Sequence, residues 1–492
     1  MPDLDQDGRP VDLGAVRLRT PGLRGQVNVH QSASPGSRAA ASSTAEFLEA
    51  LERAEVSEGV TIEITDQREV TPSTGSRAAG GSDDMVLEVR DPGESSGQAV
   101  LYEAEDGTIS WHFPRETAVA GVTRGGGALT YRIPREVVVP AQGEAVPGGQ
   151  RGVLGAVGKK ILKVFVFKII DEASQYIGDK LARRFEAQHR PHRLRAFTPD
   201  DFSAPATASL DAAALQRLAE DRVLLFVHGT ASSSHSGFGR IPHDVLTELY
   251  RRYRGRVLAL DHPTVSVSPE ENVAWLAGEL AALGDRKLTV DIVSHSRGGL
   301  VSRLLSEHPD RTGGRLDVGR LVMVATPNAG TELADAERLG QLLNRLTSLL
   351  QLVPSNGITD ALDIILAVVK QVAIGAFKGL DGIMAMNPRD AFLTDVLNTP
   401  SATAAQYFAA AADFEPPQGS PLLRIARDRV TDVVFGSTRN DLVVPTEGVY
   451  TVPRASAFPI NDRLVFEALD AVDHSGYWTR QPFAEKLLGW LA

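Results

Sequence analysis

The stretch Leu288 to Gly299, LTVDIVSHSRGG, decides how this chain is read. Its first half concentrates branched apolar residues and predicts a buried strand. Beyond it, Leu300, Val301, Leu304 and Leu305 fall at the spacing of one helix face. Between strand and helix lie Ser294, His295, Ser296, Arg297, Gly298 and Gly299, so the backbone has to turn sharply at Ser296. A serine hydroxyl at such a turn stands clear of the main chain. It attacks a carbonyl only if a base takes its proton and donors await the oxyanion. The pattern departs from G-x-S-x-G at one position, where Ser294 replaces the first glycine. That is tolerable if Ser294 takes ordinary backbone dihedrals, since only a small side chain has to fit there. Gly298 and Gly299 let the helix pack close to the strand. A literal match at Gly93 to Gly97, GESSG, is read as a hairpin loop, because strand-like VLEVRDP precedes it and strand-like AVLYEAED follows.

Upstream, VLLFVHGT puts His228, Gly229 and Thr230 at the end of another apolar strand. A loop there can aim a backbone N–H at a developing oxyanion, so the amides of Thr230 and Arg297 are the expected donors. His228 is expected to order this loop. It precedes the serine, whereas an acid and then a histidine should follow it. Downstream, STRNDLVVP places Asp441 on a polar loop, and AVDHSGYW places His474 in a loop near the end of the sequence. Asp441 is the predicted acid and His474 the predicted base, oriented by the carboxylate. Asp462, Asp470 and Asp473 are the competing acids.

With VHGT, SHSRGG, VATPNAGT, NDLVVP and DHSGYW in hand, residues from about 220 onward resemble the lipase and esterase branch of the α/β-hydrolase superfamily, including bacterial lipase-like and GPI inositol-deacylase-like proteins. GLDGIMAMNPRDAFLTDVLN resembles the segment such lipases carry in a cap. The resemblance implies Ser296 as nucleophile, Asp441 as acid, His474 as base and Thr230 as the loop oxyanion donor. His228, Gly229, His295 and Gly298 are the expected supporting residues. The resemblance implies no cofactor. It leaves residues before about 200 unexplained.

The rest of the chain fits an α/β class with a smaller β-rich domain ahead of it. VLLFVHG, VLALD, LTVDIVSH, RLVMVAT and DVVFGST alternate with helix-like segments, which predicts a mostly parallel sheet covered by helices over 201–492. No strand pattern is evident from Thr331 to Val430. The leucines from Leu339 to Leu350 lie at helical spacing, so 331–430 is read as a helical cap. Within it LDIILAVVKQVAIGAF is apolar nearly all round, which requires deep burial or an apolar substrate or lipid surface. Residues 1–55, rich in Pro, Gly, Ser and Ala, are expected to be mobile, and 56–150 to form a small antiparallel β domain.

Residues 151–200 contain ILKVFVFKII, and residues 151–195 carry eleven Lys or Arg against four acids. This predicts a basic amphipathic helix, either linking two domains or meeting a membrane surface or protein partner. GVLGAVGKK at 152–160 has the wrong glycine spacing for a phosphate loop.

With 492 residues, 42% hydrophobic, 23% charged and a net charge of -11, the composition is that of an ordinary globular protein and argues against nucleic acid as a partner. The absence of cysteine excludes disulfides, thiolate metal sites and cysteine nucleophiles. No metal site is predicted. The opening MPDLDQDGRPVDLG lacks a basic then apolar leader, so a cytoplasmic location is expected. The combined expectation is hydrolysis of an apolar or acyl ester. A peptidase, amidase or thioesterase using the same triad is the rival among enzymes, and a silent interaction or lipid-sensing protein the rival outside them.

Overall fold

The computed structural model describes residues 1–31, 49–70, 84–105, 108–114, 127–133, 159–169, 180–350, 358–400, 403–416, 435, 438–453 and 458–492. They fall into two compact units, one built from Met1–Leu181 and Leu346–Phe377, the other from Ala182–Arg345, Lys378–Pro417 and Ala426–Ala492.

The first unit holds nine strands: β1 (Val11–Asp12), β2 (Val16–Arg19), β3 (Leu23–Gln31), β4 (Val56–Glu69), β5 (Met85–Arg90), β6 (Ser96–Glu103), β7 (Ile109–His112), β8 (Ala128–Ile133) and β9 (Lys160–Lys168). They form two antiparallel sheets, ordered β1-β2-β5-β8 and β3-β4-β9-β6-β7. Register aligns Val60 and Val100 on either side of Val164, and Ile62 and Tyr102 on either side of Leu162. Those rows meet Leu18, Leu87 and Tyr131 of the other sheet in one buried apolar cluster. The larger sheet also receives the helix Ile358–Ala373, which packs against β6. Ile364, Ile365, Leu366, Val368 and Val369 are buried there, Lys370 Nζ donates to the carbonyl of Ala54 at 2.8 Å, and Arg53 pairs with Asp363 at 3.1 Å.

Several expectations change in consequence. ILKVFVFK is the central strand β9, not a basic connecting helix, because a chain covered on both faces is apolar on both faces and mimics an all-round apolar helix. Residues 1–31 are not a mobile segment but supply β1 to β3, and 32–48 lie outside the described residues. GESSG is not a hairpin loop, since β5 and β6 belong to different sheets, although Ser96 does lead into a strand with no helix after it. The interval 331–430 is not one cap. Leu346–Phe377 groups with the first unit, and its apolar helix is accounted for by burial.

The second unit has a seven-stranded sheet in the order β10-β12-β11-β13-β14-β15-β16, with β10 Arg193–Ala196, β11 Val223–Val227, β12 Val257–Asp261, β13 Leu288–His295, β14 Leu316–Val324, β15 Gln406–Ala412 and β16 Ile460–Phe466. All its pairings are parallel except β10 with β12. Leu224, Phe226, Val293, Val322 and Ala410 on one face pack on helices His243–Arg252 and Gln481–Trp490. The other face is covered by Gly298–Glu307, which packs on β11, β13 and β14 and in turn on Pro269–Leu280. This is the α/β-hydrolase architecture. The sheet departs from expectation: β10, β15 and β16 are not among the strand-like runs, β15 lies inside the interval read as strandless, and most of DVVFGST, 432–438, lies outside the described residues. No helix among the described residues is long and apolar enough to cross a membrane.

Candidate active site

β13 ends at His295, and the helix Gly298–Glu307 starts three residues later. To turn in that space Ser296 takes φ = 51°, a left-handed conformation that costs a non-glycine residue about 1–2 kcal/mol. Its amide donates to Val324 O at 2.8 Å, so β14 holds the turn down. The glycines are explained by close approach. A Cβ on Gly298 would lie 2.3 Å from Val227 O and 2.4 Å from His228 O, one on Gly299 2.0 Å from Thr326 Oγ1, and one on Gly229 2.7 Å from Ser296 Cβ. Ser294, in the position of the first glycine, keeps φ negative and donates its Oγ hydrogen to Val322 O at 3.0 Å.

Ser296, Asp441 and His474 come together. His474 Nε2 lies 3.0 Å from Ser296 Oγ, and His474 Nδ1 lies 2.8 Å from Asp441 Oδ2. All three are buried. The acid sits in a turn in which Leu442, at φ = 85°, donates its amide to Asn440 Oδ1, while the amides of Val443 and Val444 donate to Asp441 Oδ1 at 3.1 and 2.8 Å. The His474 amide donates to Asp441 O at 3.0 Å, tying the two loops together. Tyr477 OH donates to Asp441 Oδ2 at 3.1 Å. Burial raises the Asp441 carboxyl, but the His474 charge and these hydrogen bonds outweigh it and leave it below the usual carboxylate range. Burial, with Asp441 beside it, pushes the Tyr477 phenol well above its ordinary value, so it remains a donor.

The competing acids are engaged elsewhere. Asp462 accepts from Lys486 and Trp490, Asp470 from the Glu467 amide, and Asp473 from the Ser475 amide.

The two flanking histidines hold loops. His228 Nδ1–H donates to Gly229 O at 3.0 Å while Nε2 accepts the His262 amide at 3.2 Å, and burial brings this imidazole down to about 4. His295 Nε2–H donates to His474 O at 2.9 Å, and burial brings it down to about 3. Both are therefore neutral fixtures at neutral pH. The amides of Thr230 and Arg297 have no hydrogen-bond acceptor among the described residues. The Arg297 guanidinium is buried, donating to Gly382 O at 2.7 Å and to Val267 O, and burial lowers it to about 10. No group of three or more His, Asp and Glu among the described residues could hold a metal ion.

Chemically, this is a hydroxyl next to an imidazole, a carboxylate behind the imidazole, and two amides, those of Thr230 and Arg297, with no acceptor among the described residues. Tyr477 lies within DHSGYW without any local pattern that marks its role, and Glu186 and Thr264 carry no local signal at all.

A family described as a domain of unknown function, DUF7379, matches residues 189–492. No curated protein matches the sequence. Among solved structures, the chain is similar to the mature lipase BlEst2 of Bacillus licheniformis (19% identity, 55% of this chain and 91% of that one, TM-score 0.32). It is similar to lipase 1 of Pelosinus fermentans (14%, 54% and 98%, 0.33) and to the phospholipase PlaB of Legionella pneumophila (16%, 46% and 45%, 0.30).

Proposed function

Starting from a chain that belongs to the DUF7379 family over residues 189–492, we propose that it is a serine hydrolase of carboxylic esters, with an apolar or acyl ester as substrate. The observation that carries this is the unbroken line Ser296 Oγ, His474 Nε2, His474 Nδ1, Asp441 Oδ2, with steps of 3.0 and 2.8 Å on either side of the ring. His474 takes the Ser296 proton as Oγ attacks the ester carbonyl. The oxyanion is met by the amides of Thr230 and Arg297. His474 then gives its proton to the leaving alcohol, and an acyl-serine remains. Water, deprotonated by the same imidazole, attacks the acyl carbon, the serine leaves with the proton back on Oγ, and the carboxylic acid departs. Asp441 keeps the imidazole in the tautomer with Nδ1 protonated. No cofactor enters any step.

The test is labelling with a fluorophosphonate probe followed by a profile of ester, thioester and amide substrates. Wild type should label and Ser296→Ala should not, and esters should be turned over faster than amides. Failure of the wild type to label would leave a silent binding or lipid-sensing protein, and a preference for thioesters or amides would move the substrate class.

A further inference from the structure

Building on that reading, we propose that Glu186 is a positioning residue which sets both oxyanion amides by clamping the segment from Thr264 to Val267. Glu186 lies in the helix Leu181–His189 and is 1% exposed. Its Oε1 accepts the amides of Thr264 at 2.7 Å and Val265 at 2.9 Å; its Oε2 accepts the amide of Ser266 at 2.8 Å and the hydroxyl of Ser266 at 2.6 Å. Three consecutive amides turned towards one carboxylate make the kind of concavity that receives an anion. Here the chain supplies its own anion.

The clamped segment reaches each side of the nucleophile. Thr264 Oγ1 accepts the amide of Ala231 at 3.0 Å, and Ala231 itself takes φ = 53°, so the hydroxyl holds the residue after Thr230 in an unfavourable conformation. On the other side, Val267 O accepts from the guanidinium of Arg297, the residue after Ser296. Gly382 O accepts from the same guanidinium, and a Cβ on Gly382 would lie 2.4 Å from Thr264 O, so this second anchor is wedged against the same segment. Among the described residues, Arg297 has no carboxylate in hydrogen-bond contact. Glu186 is the foremost opposing charge acting on it. One buried anion thus orients the loop next to Thr230 and the side chain attached to the Arg297 amide.

The experiment compares wild type, Glu186→Gln, Thr264→Val and the surface control Arg183→Ala. It measures kcat per titrated active site, KM for a short p-nitrophenyl ester, and inhibition by phenylboronic acid, whose serine adduct places an oxygen in the oxyanion position. Glu186→Gln sets an NH2 against backbone donors and should lower kcat by about 10- to 100-fold, the scale of a misplaced catalytic group, with a parallel loss of boronate affinity and KM nearly unchanged. Thr264→Val, which removes the Ala231 acceptor but leaves the carboxylate, should lose in the same two readouts, and Arg183→Ala in neither. Should Glu186→Gln fold poorly, Thr264→Val decides. Wild-type kcat per titrated site and wild-type boronate affinity in the variants would overturn the proposal and leave Glu186 a role in folding alone. A wild-type protein that neither labels nor turns over ester would instead remove the hydrolase reading, and this inference with it.

Discussion

Replacing Gly298 with alanine tests whether the nucleophile is held by close backbone approach. The added Cβ would sit 2.3 Å from Val227 O and 2.4 Å from His228 O, both main-chain atoms at the end of β11 that cannot swing aside. Reaching the 3.4 Å of ordinary contact requires 3.4 − 2.3 = 1.1 Å of separation between the helix Gly298–Glu307 and that strand. Ser296 is the last residue but one before that helix, so its Oγ would shift by a comparable amount from an imidazole now 3.0 Å away. A displacement of about 1 Å at a reacting group costs on the order of 100-fold in kcat, and overpacking costs about 1–3 kcal/mol of stability. The assay is p-nitrophenyl ester turnover with fluorophosphonate labelling rates, beside thermal melts of the same preparations. Ser294→Gly is the control, because it loses one hydrogen bond to Val322 O but leaves the turn room, and it should stay within about 1 kcal/mol of wild type with near-normal turnover. A Gly298→Ala protein with unchanged melting and unchanged labelling would refute the reasoning.

Asp441→Asn should lower kcat by about 10⁴-fold while substrate binding persists, because an amide nitrogen facing His474 favours the wrong tautomer; unchanged turnover would transfer the acid role to another carboxylate. Tyr477→Phe keeps the buried ring but removes one of two donors to Asp441 Oδ2, so turnover should fall by up to about tenfold, far less than for Asp441→Asn. Turnover equal to that of wild type would count against a role for this hydrogen bond. Stability should fall as pH drops from about 6.5 towards 4, because His228 and His295 are held neutral, down to about 4 and about 3, whereas the unfolded chain takes up protons near the ordinary imidazole value. Each imidazole contributes on the order of 3 kcal/mol when fully exposed by unfolding. A melting temperature flat across that window would contradict the burial of these rings.

The parts of the fold legible in the sequence are those whose pattern is local. β11, β12, β13 and β14 are short apolar runs with helix-like segments between them, and a parallel sheet buried on both faces writes itself that way. β15 was hidden by composition: its run Ala409 to Ala412 has the highest helix propensity available, yet all four are buried in a strand where neighbours press close. β9 was hidden for the opposite reason, since Lys160 and Lys163 suggested an amphipathic helix. In the sheet Lys160 is buried against Tyr102 and Glu105, and Lys163 pairs with Glu58, so the charges are answered by partners far away in the chain. The helix Ile358–Ala373 shows the same limit, because the β sheet that accounts for its apolar surface comes from residues hundreds of positions earlier.

The same division runs through the site. Ser296 and its glycines are constrained by a turn made of neighbours, and Asp441 and His474 follow it in the chain order serine, acid, histidine, so those residues can be named from sequence. Tyr477 and Glu186 cannot. Tyr477 differs from any buried aromatic only by a hydroxyl that finds Asp441, 36 residues upstream, and Glu186 looks like one more acid on an amphipathic helix until its carboxylate meets amides 78 to 80 residues away. A buried carboxylate facing four donors is costly to desolvate and is retained only where the donors need it. That cost has no sequence signature of its own. It becomes visible when the loop it organises turns out to touch both sides of Ser296.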